Sequence, residues 1–499
     1  MQSPGDSAGN EMIRVTREVR KLKVFAVAVP EFGHLMPVVY QAQALAQRGH
    51  ETHLITCAFV GEKIQGECQK SGCNFIGVCP EVEAPETGKT ENSRLQRANR
   101  LPSAARWYCK QMEQPISELI DSLRPDIVVA DMMQFSLLRL YEAKGLPVVI
   151  NLPGPSDLLR MLGTALAPYF IFFLGPFIFR SPLAEAPTFF AAGKDGQKYN
   201  HRYPVLVNSF FGLQEPESCP PNIFFTGPPA PRPVGRVSET SSPRLNEWLQ
   251  WVRSEGRTVV FITMGSMATL SKSQVEAFYH GLRDLPGVAV AWSLKEADQA
   301  HLPGGAAGLP RHFFVDKWMP QVQCLQLPEV AVVITHCGWG GTMETILAGK
   351  PVVACPILAD QPMNAELLRK KGCAEVLELA RLTAARVQAA VQKVLRQPSY
   401  KEAALALQAG LLATRGAERG AEIIEDVAAH GIAQLQRPLP SPWAALAWRA
   451  AGAAVLGGVF LSGFAAALAL GGARGVRPAA AAASAALVSQ AASIKAASP

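Results

Sequence analysis

The apolar and polar positions first fall into a regular order at Val24 to Val29, a continuous apolar run. It is followed by the glycine-containing loop Pro30 to Pro37, a helical alternation to Arg48 stopped by Gly49, and a second apolar run, His53 to Thr56. Short runs rich in β-branched residues and bounded by turn formers predict strands, and the 3.6-residue spacing between them predicts a helix. The same order recurs at Ile127 to Ala130, then Phe135 to Lys144 with Gly145 as its stop, then Val148 to Asn151. Strands that alternate with helices predict a parallel sheet covered on both faces.

Beyond Gly227 the pattern lapses into prolines at 228, 229, 231, 233 and 243 among Arg, Ser and Thr, which reads as a linker over 229–243. A second alternating series follows. Its strands are expected at Val259 to Thr263, Val288 to Trp292, His312 to Val315, Val330 to Thr335 and Val352 to Cys355, and its helices end near His430. The expected fold is therefore α/β, with two Rossmann-like doubly wound domains, 21–228 and 244–432, facing a cleft that is the default ligand site.

Past Pro438 the pattern changes again. Ala450 to Ala473 carries no charge and exceeds the roughly 20 residues a membrane span needs, so it reads as a C-terminal membrane-anchor helix bracketed by Arg449 and Arg474. The Ala/Ser-rich remainder, 474–499, reads as a disordered tail. Met161 to Phe179 is also uncharged, but Pro168 and Pro176 break it, so it reads as a greasy pocket wall or membrane-surface contact. The N-terminus shows no secretory signal, so the folded body is expected in the cytosol.

Composition narrows the classes. With 48% hydrophobic and 18% charged residues the chain is an ordinary folded one, not a disordered one. Its net charge of +7 comes mostly from the tail: no Asp or Glu follows Asp426, whereas Arg437, Arg449, Arg474, Arg477 and Lys495 do. The body lacks the basic stripe that nucleic-acid binding uses. Ten cysteines without a Cys-x-x-Cys pair or a histidine at ligand spacing read as reduced thiols, not a metal site.

Candidate chemistry concentrates in two places. In the second domain the strand Val330 to Thr335 runs into His336-Cys-Gly-Trp-Gly-Gly341, with a helix expected to start near Thr342. A strand, a glycine turn and a helix N-terminus present free N–H groups to an anion such as a phosphate. His336 can add a donor, and Glu344 can accept two hydroxyl hydrogen bonds, as from a ribose. Gly338-x-Gly340 with Asp360 further on is half of a dinucleotide fingerprint, but Met343 stands in the third glycine's place, which disfavours a nicotinamide or flavin enzyme. In the first domain His34 follows the first strand and Asp131 ends another, so both reach one sheet edge. A carboxylate on one imidazole nitrogen leaves the other to take a proton: a general base with its orienter.

The segment Trp318 to Gln361, WMPQVQCLQLPEVAVVITHCGWGGTMETILAGKPVVACPILADQ, resembles the signature box of family 1 UDP-glycosyltransferases. The resemblance extends over most of 21–430 through FGHLMP, RGHETHLIT, PDIVVAD, VLVNSF, FTGPP and ITMGS. It implies a GT-B fold and inverting, metal-independent transfer of a hexose from a UDP-sugar to a hydroxyl of an apolar small molecule, with glucose favoured through Gln361. It also implies that Trp318 stacks on uracil beside Gln321 and that Glu344 holds the ribose. His336, Ser266 and the turn Gly338, Trp339, Gly340 and Gly341 would receive the pyrophosphate, and Asp360 and Gln361 the sugar. No metal or other cofactor is expected, and the base pair would be His34 and Asp131. The box departs from its plant form, which has Asn-Ser where Gly340 and Gly341 stand and His where Leu327 stands. Two alternatives remain open: transfer to a membrane lipid or sterol, and an inactive nucleotide-sugar-binding protein.

Overall fold

Val24 to Val27 are wholly buried, so the strand they form has no solvent face and must lie inside a covered sheet. The computed structural model describes residues 20–79, 94–134, 136–157, 202–216, 218–230, 238–265, 268–357 and 360–436. Residues 1–156 and 203–435 belong to one compact unit that holds both sheets; of the other unit only Asp157, Arg202 and Gln436 are described.

The first sheet contains β1 (Lys23–Val27), β2 (Glu51–Cys57), β3 (Asn74–Val78), β4 (Ile127–Asp131), β5 (Val148–Leu152), β6 (Val205–Val207) and β7 (Ile223–Phe225). Its order is β3-β2-β1-β4-β5-β6-β7, every pair parallel. The second contains β8 (Thr258–Thr263), β9 (Val288–Ser293), β10 (Phe313–Asp316), β11 (Val330–Thr335), β12 (Val352–Ala354) and β13 (Ala374–Val376). Its order is β10-β9-β8-β11-β12-β13, again all parallel. Strand order therefore reverses between β1 and β4 and between β8 and β11, and at such switch points the connecting loops part and leave a crevice at the carboxyl edge.

Both faces of the second sheet are packed. Val260 and Ile262 of β8 lie with Phe278 of the helix Lys272–Arg283 and Val387 and Val391 of the helix Ala384–Arg396, while Val259 and Phe261 lie with Leu245, Trp248 and Val252 of the helix Pro243–Ser254. Successive residues of a strand point to opposite faces, so this double burial is what an unbroken apolar run demands. All ten cysteines are free, and eight of them are buried.

Three expectations are corrected. The helix Ala417–His430, expected with the second domain, packs on the first sheet: Ala421, Ile423, Ile424 and Val427 share a core with Val24, Leu45 and Val129. Arg48 forks onto Glu425 at 2.6 and 2.7 Å, His50 meets the same carboxylate at 2.8 Å, and Gln41 Nε2 donates to the Ala417 carbonyl. The helix expected at Phe135 to Lys144 is only Leu138–Ala143. The helix expected from Thr342 begins at Trp339, because the extended Gly338 (φ −60, ψ 147) serves as its N-cap, a position glycine fills well. Ala450 to Ala473 and Met161 to Phe179 lie outside the described residues, among which no helix is long and apolar enough to cross a membrane.

Candidate active site

His34 stands in the first turn of the helix Phe32–Gln47, not in a loop, since only four residues separate β1 from that helix. Asp131 is the last residue of the neighbouring β4, whose Ala130 is in register with Val27. The pairing brings His34 Nδ1 to 2.9 Å from Asp131 Oδ1, and Asp131 is fully buried. The Met133 N–H donates to Oδ2 at 3.2 Å, so both carboxylate oxygens are fixed. A carboxylate accepting at Nδ1 places the imidazole proton there and leaves Nε2 a lone pair. Burial alone would lower the His34 pKa, but Asp131, with Asp360 and Glu31 beyond it, outweighs that and raises it.

At the second switch point, β11 ends at Thr335 and the chain turns through Cys337 in the left-handed region (φ 61) to Gly338, the N-cap of the helix Trp339–Leu347. The first intrahelical bond is Thr342 N–H to the Gly338 carbonyl, and no side chain caps the end. The N–H groups of Trp339, Gly340 and Gly341 precede that bond, where the helix carries about half a positive charge. His336 is wedged between two glycines: a Cβ at Gly265 or at Gly338 would stand 2.6 Å from its ring. Burial lowers its pKa to about 4, so at neutral pH it is an uncharged donor. Nothing lies within 4 Å of a Cβ built on Gly340, and a helical Cβ leans toward the N-terminus, where an anion approaches. Gly340→Ala is therefore expected to raise fold stability by about 0.5 kcal/mol while weakening UDP binding. Thermal melts and calorimetry on one preparation check both signs.

Glu344, one turn into that helix, accepts from Gln321 Nε2 at 2.7 Å, and Thr263 Oγ1 donates to Gln321 Oε1 at 2.7 Å. Gln321 is thus a bracket between the end of β8 and the carboxylate. Burial raises the Glu344 pKa. Its charge also reaches Tyr40 on the helix Phe32–Gln47, whose phenol burial and Glu344 together push up to about 12. Trp318, just after β10, is 67% exposed with its indole open to solvent, which suits a stacking platform.

Asp360 precedes the helix Gln361–Lys370, and burial raises its pKa while a 2.7 Å bond from Asn364 and the charge on His34 oppose the rise. His34 beside the first sheet and Asp360 beside the second thus lie within electrostatic reach of each other. Gln361 has its Oε1 taken by the Ile357 N–H at 2.8 Å. The Trp339 ring is buried in the core and donates from Nε1 to the Asn208 carbonyl at 3.1 Å, so only its backbone faces the turn. Ser266 lies outside the described residues. Among the described residues no three His, Cys, Asp or Glu side chains converge as a metal site.

The profile described as UDP-glucoronosyl and UDP-glucosyl transferase matches residues 193–410, which includes the whole helix-terminus site. A beta-D-glucosyl crocetin beta-1,6-glucosyltransferase of Gardenia jasminoides is 25% identical over 382 residues, 68% of this chain and 82% of that protein. The chain belongs to the UDP-glycosyltransferase family. A UDP-glucuronosyltransferase 2A2 of Homo sapiens is 30% identical over 204 residues, 40% of this chain and 35% of that protein. The solved UDP-glucose:anthocyanidin 3-O-glucosyltransferase in complex with UDP matches the fold with a TM-score of 0.63 and 17% identity, over 82% of this chain and 99% of that one. This is the GT-B fold.

This UDP-glycosyltransferase, a UDP-dependent hexosyltransferase, thus sets His34 and Asp131 together on one sheet and Gln321, His336, Gly338, Gly340, Gly341, Glu344 and Asp360 around the other's switch point. Sequence reasoning missed Thr263 and Asn364, which hold Gln321 and Asp360. Thr263 stands in the quoted ITMGS, but a strand-end threonine looks the same whether or not its hydroxyl is used.

Proposed function

We propose that this UDP-glycosyltransferase transfers a hexose, glucose favoured, from a UDP-sugar to a hydroxyl of an apolar small molecule, with inversion and without a metal. The observation that carries the reading is the 2.9 Å His34–Asp131 bond, which leaves Nε2 free at the sheet edge. In the proposed step Nε2 takes the acceptor hydroxyl's proton as that oxygen bonds to the anomeric carbon, and the bond from that carbon to the diphosphate oxygen breaks. Displacement from the opposite face inverts the centre. Glu344 would hold the ribose, with Trp318 against the uracil. The charge left on UDP would be met by the N-terminus of Trp339–Leu347 and by His336. An apolar acceptor is supported by Phe32 and Phe59, both over a third exposed after β1 and β2, with Tyr108 6.1 Å from Phe59. The Gardenia relative is named for glucosyl crocetin and the solved enzyme for an anthocyanidin, and both are small-molecule acceptors.

UDP release measured over a panel of UDP-sugars with phenolic, sterol and lipid acceptors tests this. Release with UDP-glucose and a phenol is expected, and binding without release from any pair would leave only an inactive nucleotide-sugar-binding protein. Adding EDTA is expected to leave the rate unchanged; loss in EDTA restored by Mg²⁺ or Mn²⁺ would defeat the metal-free step. The uncharged run Ala450 to Ala473 supports a separable anchor for a cytosolic catalytic body. Truncation after Pro442 should then leave turnover of a water-soluble acceptor intact and move the protein from the carbonate-resistant membrane fraction to the supernatant.

A further inference from the structure

Asn364 is 1% exposed, in the first turn of the helix Gln361–Lys370. Its Nδ2 donates to the Cys337 carbonyl at 2.9 Å and to Asp360 Oδ2 at 2.7 Å. A side-chain amide has two hydrogens, and both are committed here. The orientation is thereby fixed, because the flipped amide would set its oxygen against two other oxygens. The two acceptors belong to different parts of the site. Cys337 is the left-handed residue (φ 61) of the turn that presents Gly338 and the helix N-terminus. A non-glycine residue keeps that conformation only where its surroundings hold it. Asp360 is the carboxylate that shares the field of His34.

We infer that Asn364 is a positioning residue that ties the diphosphate-binding turn to the sugar-side carboxylate, and that it governs donor-sugar discrimination through those two groups. This rests on the proposed reading of Asp360 as a contact to the donor hexose. Once the tie is cut, the turn and the carboxylate no longer share one reference, and the sugar hydroxyls are read from a carboxylate that is free to rotate.

The test compares kcat/KM for UDP-glucose and its 4-epimer, UDP-galactose, in the wild type, Asn364→Ala, Asn364→Asp and Asp360→Ala. The ratio does not depend on how much of the enzyme is folded. Asp360→Ala is expected to flatten it, and Asn364→Ala to lower it by about tenfold while weakening UDP binding by a similar factor. Asn364→Asp, although nearly isosteric, should be worse than alanine, since it turns a double donor into an acceptor facing two oxygens. A side chain that only fills space would rank the other way, with Asp mildest, and would lower Tm without moving the ratio. If Asp360→Ala flattens the ratio and Asn364→Ala leaves it at the wild-type value, the coupling is overturned. If Asp360→Ala itself leaves the ratio unchanged, the reading of Asp360 fails and the inference falls with it. Should Asn364→Ala not accumulate, Asn364→Ser carries the same comparison, because its single hydrogen serves one acceptor at a time.

Discussion

Replacing His34 by alanine is expected to lower kcat by about 10² to 10⁴, the usual worth of a positioned general base, while UDP binds as before. The separation follows from placement. His34 comes from the helix after β1, and the groups assigned to UDP come from the segment after β10, the turn after β11 and the helix Trp339–Leu347. Turnover within about tenfold of wild type would remove His34 from the base's role. The same residue sets a pH signature. A base must be unprotonated to work, and the His34 pKa is raised above its ordinary 6.5 despite burial, through Asp131 and then Asp360 and Glu31. kcat/KM should therefore be low on the acid side and climb as pH rises through that raised value. In Asp131→Asn the largest opposing charge is gone, so the acid limb should move to lower pH while the plateau falls.

Glu344→Ala is expected to weaken UDP and UDP-sugar equally, by about ten- to a hundredfold, since lost hydrogen bonds to a charged group cost about 1.5–3 kcal/mol. Equal loss is the diagnostic part. Both ligands carry the ribose, whereas only one carries the hexose, so a defect confined to the UDP-sugar would move Glu344 to the sugar. Glu344→Gln should be milder, because its amide oxygen can still accept from Gln321 Nε2, which now donates to Oε2 at 2.7 Å. Titration calorimetry with UDP and with UDP-glucose reads both.

The sequence was most legible where burial is complete. β1, β4, β8 and β11 are unbroken apolar runs because both faces are covered, and the same four strands flank the two switch points, so the dyad and the glycine turn were found with them. Strands β6, β7, β12 and β13 have three residues each, too few to show a period. Of these only β12, at Val352, was anticipated as a strand, and β6 was noticed only as part of VLVNSF. The helix start was expected at Thr342 and not at Trp339, because the glycines that flank Trp339 carry no helical period. The helix begins at Trp339 instead, and this first residue turns its ring inward to Asn208. Asn364 was invisible for a different reason. One acceptor, Asp360, is its neighbour four residues back on the helix, but the other is a main-chain carbonyl 27 residues away that no residue type marks.

The return of Ala417–His430 to the first sheet also dictates an order of events on the ribosome. Val24, Leu45 and Val129 emerge early, yet the residues that cover them, Ala421, Ile423, Ile424 and Val427, are among the last of the described residues to be made. At about 5–20 residues per second, the nascent first sheet waits on the order of tens of seconds with that face uncovered. The second sheet, whose covering helices lie within its own stretch of chain, can close as it emerges. The half that was made first is thus sealed late, and until then it presents the surface a chaperone would hold.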